Sequence, residues 1–372
     1  MIVSGIYFHI PFCKRICAYC DFVRSADLSC MEATLAAMRR ELEARSGYLH
    51  DRRIRTLYFG GGTPSLCAPE ALGGLIGCAA ACFDCTAVEE VTVEANPDDL
   101  TPGYLDALRR TGVDRLSVGV QSFDDACLRM MNRRHDAAQA ERAVRDAQRA
   151  GFENITIDLI FGVPGFGADT LRRSLERALE LAPTHVSAYH LTIEPDTAFG
   201  RRAARGALRP VDEEVSEAEF ALVHEMLTGA GFEHYEVSNF ARPGFRARHN
   251  AAYWSGAEYL GIGPGAHSYD GVGRHWNAPS VAAYLAGDGG GGETLGETEL
   301  FNEYVMTSLR TAEGIDTAAV ARRFGSGRLG RLLAEARRFE AAGLLRRTEN
   351  RLSVPPERFL VSDEVIAALF EA

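Results

Sequence analysis

At 372 residues and 46% hydrophobic content, the chain is long enough to bury one large core and a smaller domain, and its nine cysteines, odd in number and unevenly clustered, argue against a disulfide framework. A net charge of −11 argues against nucleic acid as a partner, because phosphate contacts need clustered Lys and Arg. No apolar run of about 18 residues and no charged-then-apolar leader is present, so the expectation is a soluble cytoplasmic protein without an integral membrane segment.

Taken in chain order, short apolar runs at 5–10, 55–59, 90–94, 115–120, 155–161, 186–191 and 234–238 read as strands. Amphipathic stretches at 32–45, 69–81, 102–111, 137–150, 169–181 and 214–229 read as the helices between them. Such alternation implies right-handed crossovers and a parallel sheet, and six or seven units suit a partial (βα)6-type barrel rather than a closed one of eight. The glycine run at 288–293 reads as a flexible loop or linker. Helical patterns at 300–309, 317–324 and 329–342, then a hairpin at 344–354, predict a small winged-helix-like α+β domain. The expected division is 1–240, 241–290 and 291–372.

The chemistry is carried by residues at or just after the predicted strands, where the carboxyl edge of a parallel sheet gathers functional groups. Cys13, Cys17 and Cys20 stand in a C-x3-C-x2-C spacing after the first strand, with Pro11 and polar residues favouring a loop over a core element. Complete metal motifs supply four ligands, so three thiolates on a [4Fe-4S] cube leave one iron open. Gly60-Gly61-Gly62-Thr63-Pro64 follows the second strand, where missing Cβ atoms let main chain approach a small charged group. Glu94 closes the third strand with a carboxylate suited to ribose hydroxyls.

The cysteine spacing resembles the signature of radical S-adenosylmethionine (SAM) proteins, in which the open iron takes the amino acid end of SAM. More of the chain, from Tyr7-x-His9-Ile10-Pro11-Phe12-Cys13 through Glu94-Ala95-Asn96-Pro97, Gly119-Val120-Gln121-Ser122-Phe123, Asn132-Arg133-Arg134-His135, Asp158-Leu159-Ile160-Phe161-Gly162 and Gly261-Ile262-Gly263, is similar to the oxygen-independent coproporphyrinogen III oxidase family. By position the resemblance assigns SAM contacts to Tyr7, Gly61, Gly62, Thr63, Glu94, Gln121, Arg133, Asp158 and Thr192, with Tyr19 beside the cluster cysteines.

Within that family two branches compete. The oxidase pattern has a fourth cysteine two places after the third, and Phe22 occupies that place here. The oxidase also carries an N-terminal extension, whereas twelve residues precede Cys13. Arg248-His249-Asn250-Ala251-Ala252-Tyr253-Trp254 matches the H-N-x-x-Y-W pattern of the HemW-type haem chaperones. The resemblance therefore implies a protein that binds haem and passes it to acceptor apoproteins, among them those of a respiratory chain, with a homodimer left open. His249 is the expected axial ligand and Arg242, Arg246 and Arg248 the expected propionate contacts. The alternative is the decarboxylating oxidase; a radical SAM enzyme acting on haem itself is more remote.

Two features compete for attention. Cys78, Cys82 and Cys85 repeat the triplet spacing, but Cys78 and Cys82 fall one helical turn apart and read as packing. His9 reads as a donor that orients the cluster loop, and His267 and His275 as core histidines or secondary haem contacts.

Overall fold

A computed structural model describes residues 4–371. Six strands, β1 (Ser4–Ile10), β2 (Ile54–Gly61), β3 (Glu90–Ala95), β4 (Arg115–Gln121), β5 (Asn154–Phe161) and β6 (His185–His190), pair in parallel in chain order. Successive side chains of a strand point to opposite faces, and here the faces differ in polarity. Ile6, Phe8, Leu57, Phe59, Val93, Leu116, Val118, Ile155 and Ile157 are buried under the helices. The alternate positions Thr56, Glu94, Ser117, Thr156, Asp158 and Ser187 hydrogen-bond or couple electrostatically across the inner face. The barrel interior is thus polar from within the strands, which is what a ligand of mixed polarity needs.

The helices bury the expected stripes. In Ala137–Arg149 the stripe is Ala140, Ala143, Val144 and Ala147, and Asp136 with Gln139 forms a capping box that satisfies the first amides. The parallel order stops at six strands. The seventh expected strand, at 234–238, becomes β7 (Glu233–Glu236), which turns tightly into β8 (Asn239–Ala241) and pairs antiparallel with it. Two residues suffice for a hairpin but not for a crossover.

At the other edge β9 (Tyr259–Ile262) runs parallel to β1, and β10 (His267–Tyr269), β11 (Gly273–Trp276) and β12 (Gly291–Thr294) continue as an antiparallel meander. The expected loop at 288–293 is therefore corrected: its second half is strand. Glycine there serves close approach, since a Cβ on Gly291 would lie 2.6 Å from the Trp276 ring.

The C-terminal part has the expected helix–helix–wing arrangement. Helices Thr317–Phe324 and Ser326–Ala341 pack on a three-stranded sheet of β13 (Ile315–Asp316), β14 (Arg346–Arg347) and β15 (Arg351–Ser353). It shares one continuous apolar core with the barrel through Phe301, Val305 and Leu309. Among the described residues no helix is long and apolar enough to cross a membrane.

Candidate functional site

The loop after β1 is closed on itself and then docked. Cys13 N–H donates to Ser25 O at 2.9 Å and Ser25 N–H to Pro11 O at 2.7 Å. Ala18 N–H reaches Met131 O and Asn132 Nδ2 reaches Ile16 O, so the loop lies against the segment that carries Arg133. Cys13, Cys17 and Cys20 thereby face one cavity of about 500 Å³ at the carboxyl ends of the strands. Burial pushes the Cys13 thiol up and Cys20 to about 11, as expected of thiols held away from water.

No three His, Cys, Asp or Glu side chains converge on a single-ion position among the described residues. An iron–sulfur cube does not ask for that, because its three thiolates bind three different irons. The surroundings fit such a group. Arg133 Nη1 lies 3.2 Å from Cys17 Sγ and 3.4 Å from the Tyr19 hydroxyl, and its Nη2 donates to Asn96 Oδ1 and Gly119 O. Its Nε is enclosed without a partner, and no described carboxylate lies within ion-pair distance. A largely enclosed cation without a counter-charge is costly. Thiolates or a ligand carboxylate would supply it.

The same cavity is lined by Gly61, Gly62, Thr63, Glu94, Gln121, Asp158 and Thr192. Glu94 is held from both sides: the Tyr58 hydroxyl donates to Oε1 at 2.7 Å and Gly61 N–H to Oε2 at 3.0 Å. Ser117 Oγ donates to Asp158 at 3.2 Å. Burial, then the nearby Glu94, pushes the Asp158 carboxyl up to about 7, and burial also raises Glu94. The amides of Gly61 and Gly62 are spent on Glu94 and Ile10 O, so what this segment offers a ligand is carbonyl oxygen, complementary to an ammonium. Gln121 follows a bulge at 119–121 and holds φ 68°, a left-handed conformation costly for a non-glycine residue. Thr63 Oγ1 sits 3.5 Å from Cys13 Sγ.

Tyr7 is placed one layer lower. It stacks on Tyr58 at 5.9 Å and donates to or accepts from His9 Nδ1 at 3.0 Å, while His9 Nε2 bonds Val23 O at 2.9 Å. His9 thus orients the end of the cysteine loop, as its position suggested. Asn96, Ser117 and Tyr58 were missed by sequence reasoning; their signal was the two-residue alternation that puts them on the same strand face as Glu94, Gly119 and Gly60.

His249 requires a correction. The helix Arg248–Trp254 plugs the amino end of the barrel, where Glu90 accepts from the Arg248 and His249 amides. The imidazole is buried, with Nδ1 bonded to Thr56 Oγ1 and Nε2 to the Tyr253 hydroxyl, both at 2.8 Å, and with Tyr58 stacked at 5.0 Å. Burial, then Arg115, lowers its pKa to about 3. No ring nitrogen is free for iron. Arg246 and Arg248 pair with Glu233, Glu313 and Glu89, and Arg242 donates to Ala230 O, so these arginines face the chain itself rather than a propionate. The second triplet lies elsewhere too: Cys78, Cys82 and Cys85 pack against the core, and Arg52, just before β2, donates to Cys82 O at the opposite edge of the sheet.

The radical SAM superfamily model matches residues 7–178 and the HemN C-terminal domain model residues 295–361. The chain is 38% identical over 378 residues to a protein of Mycobacterium tuberculosis named heme chaperone HemW, covering 98% of this chain and 94% of that one. It is 32% identical to the heme chaperone HemW of Bacillus subtilis, covering 98% and 99% respectively. In fold it resembles the coproporphyrinogen III oxidase HemN of Escherichia coli, a radical SAM enzyme, with a TM-score of 0.85 and 23% identity over 99% of this chain and 90% of that one. The radical SAM domain implies a [4Fe-4S] cluster and SAM as cofactors, and the thiol set and the polar barrel cavity fit both. The chain belongs to the HemW family of radical SAM proteins.

Proposed function

We propose that the protein binds haem and transfers it to acceptor apoproteins, with the cluster and SAM in the barrel cavity. The observation that carries this is end-to-end similarity to proteins named heme chaperone HemW, over 98% of the chain. Cys13, Cys17 and Cys20 would hold three irons, leaving the fourth for the amino acid end of SAM. The chemistry such a cluster would supply when bound and reduced is one-electron reduction of the SAM sulfonium. Around it, the 60–62 carbonyls would accept from the SAM ammonium, Glu94 and Asp158 would accept from its hydroxyls, and the Arg133 guanidinium would supply the charge opposite its carboxylate. Phe22 stands where the oxidases place a further cysteine, which supports the chaperone over decarboxylation. Acceptors in a respiratory chain, residence in the cytoplasm and a homodimer belong to the same proposal.

The test is a paired assay on anaerobically reconstituted protein. Haemin should bind at about one per chain and pass to an apoprotein acceptor, while coproporphyrinogen III stays undecarboxylated under reducing conditions with SAM. Formation of protoporphyrinogen IX in repeated turnovers would overturn the proposal.

A further inference from the structure

A second cavity, of about 580 Å³, opens where the β9–β11 meander meets the first helix of the C-terminal part, Glu297–Leu309. Its volume lies in the range of sites for organic ligands. Its walls are unusually aromatic, with Tyr7, Tyr253, Trp254, Tyr259 and Tyr269 among them. Phe22, 63% exposed, borders this cavity and the cysteine cavity alike. So large an exposed aromatic beside further aromatics marks a place for a flat apolar partner.

Two histidines line the space. His9 has both ring nitrogens engaged, as described above. His267 is exposed, and among the described residues no hydrogen bond reaches either of its ring nitrogens. Partial desolvation, then Arg274, lowers its pKa below the ordinary value, which favours the neutral form that binds metals. Its place is built rather than incidental. A Cβ on Gly261 would lie 2.0 Å from His267 O, so the Gly261-Ile262-Gly263 motif, which the SAM cavity does not use, lets β10 approach β9. Arg45 then ties Gly261 O at 3.1 Å to Ser268 Oγ at 2.9 Å. The cations differ in the same way. Arg274 is paired with Glu293 and Glu303, whereas Arg323 has no described carboxylate within ion-pair distance.

We infer that haem lies in this aromatic cavity, with the His267 imidazole as axial ligand, Arg323 facing a propionate and Phe22 against the macrocycle. This rests on the haem reading of the preceding section and relocates its site, from the buried His249 to the mouth between barrel and C-terminal part. It also places the macrocycle beside the loop that carries the cluster cysteines, because Phe22 is common to both walls.

The experiment is haemin titration of the full reconstituted chain, read by Soret position and affinity, with iron–sulfur content measured on every variant as the check on folding. His267→Ala should move the Soret band and weaken binding at least tenfold, with added imidazole restoring the wild-type band. Arg323→Glu should weaken binding without moving the band. Phe22→Ala should cost on the order of 2- to 10-fold, the worth of one aromatic contact. His249→Gln should leave the band in place. If the wild-type chain binds no haem, the functional reading itself fails and the site falls with it. If wild type binds, His267→Ala is indistinguishable from it and His249→Gln loses the band, the haem reading stands and this site is wrong.

Discussion

Cys13, Cys17 and Cys20 reach one cavity from a loop pinned at both ends, so losing any one leaves two thiolates for three irons. Each Cys→Ala change should abolish the cluster, of about four irons per chain, whereas Cys78→Ala, Cys82→Ala and Cys85→Ala should keep it. Iron and sulfide analysis decides, and a cluster that survives loss of Cys17 but not of Cys82 reverses the two assignments. Gly61 is as constrained as the thiols. It holds φ 107°, and a Cβ would lie 2.6 Å from the His9 ring. Gly61→Ala should cost on the order of 2 kcal/mol and weaken SAM binding as well, because the same amide fixes Glu94. A variant with unchanged unfolding midpoint and SAM affinity would remove that role. At this scale the cysteines and Gly61 were legible because their chemistry is local. Arg133 was legible as a residue but not in its pairing: most of its donors go to Cys17, Tyr19, Asn96 and Gly119, none of which is near it in sequence except Gly119.

Among the elements, the helix Arg248–Trp254 departs furthest from what its sequence suggested. A histidine flanked by aromatics reads as a ligand, yet the flanking Tyr253 spends its hydroxyl on that histidine, and Thr56, 193 positions away, takes the other nitrogen. The burial has a pH signature. His249 keeps a folded pKa of about 3 against an ordinary 6.5, so the unfolded chain takes up the proton first as pH falls. Its contribution to stability is present above pH 6.5 and is lost on acidification toward 3, at up to about 1.4 kcal/mol per pH unit. His249→Gln should therefore lower stability at pH 7.5 but flatten its decline between pH 6.5 and 4.5. Urea midpoints across that window check it, and parallel curves for the two proteins would show that the imidazole is not buried neutral. The strands β1–β6 and their helices were, by contrast, legible from period alone. The edges were not: β7 pairs antiparallel and β12 forms from glycines, since edge pairing depends on what lies alongside.

The whole molecule sets two cavities side by side, one lined by the cysteines at the carboxyl ends of six parallel strands and one lined by aromatic rings between the β9–β11 meander and the helix Glu297–Leu309, with Phe22 in the wall of both. Phe22→Cys should not confer coproporphyrinogen decarboxylation, because it exchanges one side chain in the shared wall and leaves the other rings of the aromatic cavity and the polar barrel as they are. Product analysis for protoporphyrinogen IX checks this, and its appearance would mean that a single side chain separates the two activities. The sequence by itself determined the alternation of strand and helix and the three thiols, because periodicity and close spacing are properties of a few consecutive residues. Only the tertiary structure decided which imidazole is free. His249 and His267 are both histidines near aromatic residues, and the difference lies in partners brought from distant strands: Thr56 and Tyr253 close around the first, while Gly261 and Arg45 hold the second at the rim of a cavity with its ring nitrogens unclaimed.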